Sequence, residues 1–406
     1  MNKISAIFKH FSSKVNKASK QIIISDAPII VIGIILAILI RYPLLSFFSR
    51  DYYGKIRVWI LTIRHGGFWA FKDNFSTYNP PYLYLLYLIV RFLPNTPDVL
   101  VAKIPSLITD FICAYVVYLL VKIKYPNRIY PILAAFAFLF LPTVILNSAF
   151  WGQDDILYTM PLIASLYFLI RKKNVLAFLA FGVSLAFKLQ AIFLAPFLLA
   201  LFFRKEVSWK HFLLIPLALF LAIIPSWIAG RSLMELISVY LFQADMYPKL
   251  TNFAASAYNW IPDVRSNWIF FTPVAVIFTA MLSFFFAVLI YKSHAKLTPD
   301  LLVKLGLISV LFVPFFLPKM HDRYFYPADV LSIVFAFFYP EYFFVSILIE
   351  LVSFFSYQAS LFDVVPVPFE ILSGGIFVVL ILLVRDMVID LFIDDAKQES
   401  SKAVNS

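Results

Sequence analysis

Four clusters of polar residues interrupt a strongly apolar chain, and they contain the side chains that could carry chemistry. The clusters are Asp51, the run from Trp151 to Asp155, Lys188 with Gln190, and the run from Lys319 to Arg323. A carboxylate can take a proton from a hydroxyl group. Trp beside Gly, Gln and Asp offers a stacking face and hydrogen-bonding groups, which suit a sugar. Lys, His and Arg together suit a phosphate.

Asp51 is the candidate general base. It precedes an amphipathic stretch that carries Trp59, Ile60 and Ile63, a pattern typical of a helix in the membrane interface. Asp is also a preferred residue at helix N-caps, so capping is the alternative interpretation. For the Trp151 cluster, the alternative is a group of solvated residues that end a helix.

Lys188 is the only charge in a long apolar run. A charge at mid-bilayer costs roughly 2.5 to 3.5 kcal/mol, so such a residue is a functional hypothesis by default. An anionic lipid phosphate would satisfy it, and snorkelling to the headgroups is the alternative. The cationic group at Lys319, His321 and Arg323 suits the same phosphate, although interfacial anchoring would explain it too. The sequence contains no Walker-type glycine loop, which argues against a nucleotide as the ligand that carries the phosphate.

The elements that position these residues are predicted to be membrane helices. Of 406 residues, 62% are hydrophobic and 14% are charged, which is more apolar surface than one soluble core could hide. Apolar runs long enough to span, about 20 residues, recur along the chain. The net charge of +11 lies in small clusters without a continuous basic face, which argues against nucleic acid as a partner. A single cysteine, Cys113, excludes disulfides within the chain.

The predicted fold is an all-α integral membrane domain over residues 27–393, with about 12 transmembrane helices and short juxtamembrane helices in the first outer loop. Residues 1–26 are predicted as a cytosolic basic amphipathic segment and 394–406 as a disordered cytosolic tail. The spans are expected near 27–48, 101–121, 129–149, 155–170, 174–187, 190–203, 212–229, 269–291, 300–317, 324–339, 342–360 and 371–393. Short loops rich in Lys and Arg near 122–128, 171–173, 204–210 and 292–296 are expected inside, which places both termini in the cytosol.

Two stretches are too short to span the membrane. The apolar run from Pro80 to Leu93 covers about 21 Å as a helix, and we expect it to lie along the membrane or dip into it. Between the basic clusters at 171–173 and 204–205 the chain must go out and return, and the turn falls near Lys188. Broken helices at that depth are tolerated where they line a wet cavity. This topology places all four polar clusters at the outer face.

Five stretches occur in an order and spacing that are typical of one family. They are an early acid in a long outer loop (Asp51), Tyr78-Asn79-Pro80-Pro81-Tyr82, Trp151-Gly152-Gln153 with Asp155, Phe187-Lys188-Leu189-Gln190, and His321 with Arg323-Tyr324-Phe325. With them the chain resembles the membrane-embedded glycosyltransferases of the C fold class, and within that class the mannosyltransferases similar to the PIG-V enzyme of glycosylphosphatidylinositol assembly. The resemblance covers most of residues 27–330. Asp51 lacks the second adjacent acid that some relatives carry.

The resemblance implies a sugar donor on a polyprenyl or dolichyl phosphate, an outward or lumenal active site and inverting transfer without a required metal. A divalent cation at Asp51, Asp154 and Asp155 is the less favoured alternative. By position, Asp51 is the expected base. The expected substrate contacts are Tyr78, Asn79, Trp151, Gln153, Asp154 and Asp155, and the expected donor-phosphate contacts are Lys188, Gln190, Lys319, His321 and Arg323.

The sequence therefore predicts a multi-pass glycosyltransferase that transfers a hexose, mannose as the first guess, to a lipid, glycan or protein acceptor. Compact loops and the lack of an endoplasmic-reticulum retention signal favour a prokaryotic plasma membrane. The alternatives are a lipid or sugar transporter or flippase, for which no inverted repeat is visible, and a non-catalytic assembly subunit with the same fold.

Overall fold

The computed structural model describes residues 26–245, 249–261 and 264–393, and most of these are helical. Residues 1–25 of the predicted amphipathic segment (1–26) and the predicted tail at 394–406 lie outside the described residues. The α-helices are α1 (Ala27–Arg41), α2 (Arg57–Gly66), α3 (Pro80–Phe92), α4 (Asp98–Lys124), α5 (Tyr130–Leu139), α6 (Pro142–Ile145), α7 (Asp155–Ile170), α8 (Asn174–Phe187), α9 (Ala195–Phe203), α10 (Trp209–Phe212), α11 (Leu214–Ile228), α12 (Leu233–Asp245), α13 (Val264–Lys292), α14 (Pro299–Phe316), α15 (Tyr326–Phe338), α16 (Phe343–Phe362) and α17 (Phe369–Val388).

Six helical stretches within the described residues are long and apolar enough to cross a membrane. They are Ala27–Leu44, Asp98–Lys124, Trp209–Ile228, Trp268–Lys292, Pro299–Phe316 and Pro340–Phe362. The pair Tyr130–Leu139 and Pro142–Trp151, bent by 50°, makes a seventh if it counts as one broken span. Three shorter apolar helices cover 155–170, 174–187 and 189–203. The all-helical membrane fold is thus confirmed, and the count of about 12 spans stays a prediction.

The core of the bundle surrounds α14. In its most apolar stretch 83% of the residues are buried, whereas in that of α1 only 11% are buried. Helices α7 and α15 pack beside α14 and are also largely buried. A helix that is apolar on every side can face either other helices or lipid. Helices α7, α14 and α15 therefore belong to the protein interior, and the exposed apolar face of α1 is the kind of surface that faces hydrocarbon.

The chain between α8 and α9 breaks where the sequence predicts a turn. Helix α8 ends at Phe187, Lys188 is extended with φ −151° and ψ 140°, and a 3₁₀-helix follows over Leu189–Leu194. Two other irregular segments carry predicted site residues. A π-helix over Tyr52–Ile56 follows Asp51, and another over Leu146–Trp151 precedes Gly152.

A two-residue parallel pairing joins two segments that are distant in sequence. Strand β1 (Thr251–Asn252) pairs with β2 (Met320–His321), and the amide of Lys319 donates to the carbonyl of Leu250 at 2.7 Å. This pairing fixes the backbone of the Lys319–Arg323 cluster against the segment that precedes α13. The sequence does not predict it.

Candidate active site

One cavity of about 510 Å³ collects residues from all four polar clusters. Seven of the predicted site residues line it: Asp51, Tyr78, Trp151, Lys188, Gln190, His321 and Arg323. Three more, Gln153, Asp154 and Asp155, hydrogen bond to side chains that line it. The remaining two lie apart from it. Clusters separated by up to about 270 positions in the chain therefore meet at one site, as the predicted topology requires.

Asp51 is held by the Trp151 cluster. Its Oδ2 accepts hydrogen bonds from Trp151 Nε1 at 2.9 Å and from Gln153 Nε2 at 2.7 Å. Asp51 precedes a helical turn, but its side chain makes no capping hydrogen bond, so the capping interpretation is wrong. Among the described residues the structure records no hydrogen bond to Oδ1. One oxygen is oriented by two donors, and the other is available to a substrate hydroxyl.

The turn that supplies Trp151 and Gln153 is built by glycine. Gly152 has φ +75°, a left-handed conformation that other residues adopt only at a cost. The turn is closed by the amide of Gln153, which donates to the carbonyl of Asn147 at 2.9 Å, and by Ser106 Oγ, which donates to the carbonyl of Gln153 at 2.7 Å. The two side chains that hold Asp51 therefore leave the same rigid turn.

Lys188 is bound by two buried carboxylates. Its Nζ donates to Asp154 Oδ1 at 2.6 Å and to Asp155 Oδ1 at 2.8 Å, and all three side chains are less than 10% exposed. The ammonium also lies 5.4 Å from the ring centroid of Tyr78. The structure thus satisfies the buried charge with acids of the Trp151 cluster, and the snorkelling interpretation is wrong.

Arg323 joins the same network from the other side. Its Nε lies 3.3 Å from Asp155 Oδ2, and its guanidinium lies 5.5 Å from the ring centroid of Trp151. Lys188 and Arg323 therefore meet at Asp155. Because two carboxylates and two cations are close together, their charges balance, and this group adds little net charge to the cavity.

His321 is neutral in this environment. It is 5% exposed, its Nδ1 lies 2.8 Å from Asn252 Nδ2, and Asn252 is its partner in the β1–β2 pairing. Burial, followed by the cations Arg323, Lys188 and Lys55, lowers its pKa to about 2. The sequence groups His321 with the cations, but the structure makes it an uncharged hydrogen-bonding group.

Lys319 and Asn79 do not line the cavity. The ammonium of Lys319 lies 5.3 Å from the ring centroid of Trp268, so its predicted phosphate contact is not supported by its position. Asn79 is buried and its Nδ2 donates to the carbonyl of Phe187 at 3.3 Å, next to the break at Lys188. Asn79 thus supports a residue of the cavity and does not line it.

Lys55 is the site residue that sequence reasoning missed. It lines the cavity and is half-buried, and it lies four residues after Asp51, on the same helical face. Arg50, Lys188 and Arg323, which also line the cavity, each pair with a carboxylate, whereas Lys55 forms no ion pair with any described residue. The i, i+4 spacing could have revealed it. Lys55 is the uncompensated cation of the cavity.

An exposed ion pair lies at the rim of the cavity. The guanidinium of Arg50 faces both carboxylate oxygens of Asp363, which follows α16. Paired guanidinium and carboxylate forks of this kind have specific geometry, although exposed pairs contribute little to stability. The pair connects the segment before Asp51 to the opposite side of the cavity.

The described residues contain no group of three or more His, Cys, Asp or Glu side chains placed to hold a metal ion. Asp154 and Asp155 are occupied by Lys188, and Asp51 by Trp151 and Gln153.

The fold and the cavity define an all-helical, polytopic membrane protein with a buried acid–base network at one end of the bundle. No protein-family model and no curated protein matches the chain. Among solved structures, it is similar to ArnT from Cupriavidus metallidurans, crystallised with undecaprenyl phosphate, with a TM-score of 0.57 and 14% identity over 90% of this chain and 74% of that one. At this identity the likeness shows the fold alone, and this fold agrees with the predicted C fold class.

Proposed function

We propose that this protein is a glycosyltransferase that moves a sugar from a polyprenyl- or dolichyl-phosphate donor to a hydroxyl group of a lipid, glycan or protein acceptor. The observation that carries the proposal is Asp51, held by Trp151 and Gln153 beside a cavity that also contains Lys55. Such a site pairs a base for a hydroxyl with a cation for a phosphate. The motif resemblance favours a hexose, with mannose as the first guess, and the topology predicted from the sequence favours a site at the extracytoplasmic face.

The donor class is supported by charge. Lys55 is the cation that the cavity leaves unpaired, and an ammonium with an apolar stem suits a phosphate whose lipid tail lies in the membrane. The similar structure, ArnT, was crystallised with undecaprenyl phosphate, a lipid of this class. Lys188 has three N–H donors and gives two to Asp154 and Asp155, which leaves one for the phosphate. Arg323 contributes further N–H groups, and Gln190 and neutral His321 contribute hydrogen bonds.

The reaction is a single displacement. The acceptor hydroxyl donates to Asp51 Oδ1, its oxygen attacks the anomeric carbon, and its proton passes to the carboxylate. The bond between the anomeric carbon and the phosphate oxygen breaks at the same time, and its electron pair leaves with the lipid phosphate. Lys55, with the remaining N–H groups of Lys188 and Arg323, stabilises that leaving group. The configuration at the anomeric carbon inverts.

The class of function is tested with the purified protein in vesicles and polyprenyl-phosphate donors that carry radiolabelled mannose, glucose or an aminosugar. Protein-free vesicles are the control. The proposal expects covalent transfer of label from at least one donor to a hydroxyl acceptor. Movement of intact donor across the bilayer without transfer would identify a flippase, and neither transfer nor movement would identify a non-catalytic subunit; both results contradict the proposal.

A further inference from the structure

A buried lysine outside the cavity hydrogen bonds to the segment that leads to Asp51. Lys103, in the second turn of α4, is 2% exposed and does not line the cavity. Its Nζ donates to the backbone carbonyls of Leu44 at 2.9 Å, Leu45 at 3.1 Å and Phe47 at 2.9 Å. Among the described residues it has no carboxylate partner. All three N–H donors of the ammonium are therefore used by one short stretch of backbone.

These carbonyls lie at the end of the first membrane helix and just after it. Helix α1 passes into a 3₁₀ turn over Tyr42–Leu44, and the carbonyls at the end of a helix lack partners within it. These residues are partly buried, and the Leu44 carbonyl also accepts from the Phe47 amide at 3.3 Å. A carbonyl that loses water without gaining a donor is costly, and a cation at a helix C-terminus is favourable. Lys103 satisfies both needs at once. It fixes the chain after α1 as far as Phe47, four residues before Asp51.

The stem of Lys103 also lies beside the turn that holds Asp51. A Cβ placed on Gly152 would come within 3.3 Å of Lys103 Cγ, so the glycine lets the turn approach the lysine closely. One helical turn further along α4, Ser106 donates to the carbonyl of Gln153. The rings of Phe47 and Phe150 stack at 3.8 Å between the same two segments. Helix α4 thus contacts both the segment that contains Asp51 and the turn that supplies Trp151 and Gln153, the two hydrogen-bond donors of Asp51.

We propose that Lys103 is a positioning residue, which sets the place of Asp51 relative to Trp151 and Gln153 and does not itself touch the substrate. The inference rests on the proposed function, because it assigns Lys103 to that reaction. Leu or Met at this position could fill much of the space but could not bind three carbonyls. Misplacement of a reacting group by about 1 Å can cost about 100-fold in rate.

The test compares Lys103→Met with Lys103→Arg, which keeps several N–H donors, and with the matched control Lys304→Met. Lys304 is also buried and lies on α14, where it pairs with Asp386 and Asp390, away from the cavity. Three quantities are measured: kcat and KM for transfer, donor binding, and hydrogen exchange of residues 44–56 by mass spectrometry.

The proposal expects Lys103→Met to lower kcat about 100-fold with donor binding within twofold of wild type, and to speed exchange in residues 44–56. Lys103→Arg should recover part of kcat. Lys304→Met should lower the melting temperature while kcat stays within threefold. A folded Lys103→Met protein with wild-type kcat, or one whose only change is a lower melting temperature, as expected for Lys304→Met, would overturn the inference.

The exchange measurement separates this inference from the proposed function. If wild type shows no sugar transfer, the proposed function fails and Lys103 has no reaction to support. If transfer is present but exchange in residues 44–56 is unchanged in Lys103→Met, the positioning inference fails alone.

Discussion

At the scale of single residues, the sequence identifies the chemical groups of the site but not their partners. Asp51, Lys188 and Arg323 line one cavity, as the topology predicts. Which acid binds which cation depends on side-chain directions that sequence does not encode, so the pairing of Lys188 with Asp154 and Asp155 could not be predicted. As a result, cations that the sequence assigns to a phosphate are largely neutralised by acids of the protein, and Lys55 becomes the uncompensated cation.

Replacement of Lys55 by Met should weaken donor binding about 10- to 100-fold, because a hydrogen bond to a charged group contributes roughly 1.5 to 3 kcal/mol. Lys55→Arg should bind nearly as well as wild type. The measurement is the dissociation constant for a polyprenyl-phosphate sugar, in detergent, at two salt concentrations.

The matched control is Arg57→Met, because Arg57 is an exposed cation of the same segment that does not line the cavity. Equal weakening in the two variants would show that Lys55 acts only through general charge, and the assignment of Lys55 to the phosphate would then be wrong.

At the scale of elements, most of the helices follow from hydropathy, and the break at Lys188 follows from the basic clusters on either side of it. The β1–β2 pairing does not follow, because two-residue strands carry no periodic signal. That pairing has a consequence for His321. It buries the imidazole against Asn252 near Arg323, which is why a residue that resembles a cation in the sequence is neutral in the fold.

The neutral state of His321 predicts how stability depends on pH. The folded pKa of His321, about 2, lies below its ordinary value of 6.5, so between these values the unfolded chain binds a proton that the folded protein does not. Stability should therefore decline as the pH falls below 6.5, and His321 should contribute up to about 1.4 kcal/mol per pH unit. His321→Gln should show a shallower decline.

The check is thermal unfolding of both proteins in the same detergent from pH 7.5 to 5. Identical slopes in wild type and His321→Gln would mean that His321 takes up a proton in the folded state. In that case His321 would belong with the cations, as the sequence suggests.

At the scale of the whole molecule, a buried ion pair fastens the peripheral first helix to the bundle. Arg41 at the end of α1 lies 3.3 Å from Asp110 of α4 and donates to the carbonyl of Leu139 at 2.9 Å. Ser148, in the π-helix before Trp151, donates to the same Asp110 oxygen at 2.6 Å. Apolar composition predicts that these segments are membrane helices, but it does not distinguish a lipid neighbour from a protein neighbour. Polar contacts of this kind decide which helices pack together.

Removal of one partner from this pair should destabilise the protein more than removal of both. Arg41→Met leaves Asp110 buried without its cation and should cost about 3 to 5 kcal/mol, whereas the double variant Arg41→Met with Asp110→Leu should recover much of that loss. The measurement is the unfolding free energy of wild type, of each single variant (Arg41→Met and Asp110→Leu) and of the double variant, in mixed micelles. Additive losses in the double variant would contradict the account, because they would mean that the two residues act independently.

The central claim is that Asp51 takes the proton of the acceptor hydroxyl, and single-turnover transfer by Asp51→Asn tests it most directly. Asn keeps the size of the side chain and its oxygen can still accept from Trp151 and Gln153, but it is not a base. The matched control is Asp73→Asn, an exposed acid of the same region that does not line the cavity. We predict that Asp51→Asn binds the donor as wild type does and transfers its sugar about 100- to 10,000-fold more slowly, and that Asp73→Asn is unchanged. Transfer by Asp51→Asn at the wild-type rate would contradict the claim.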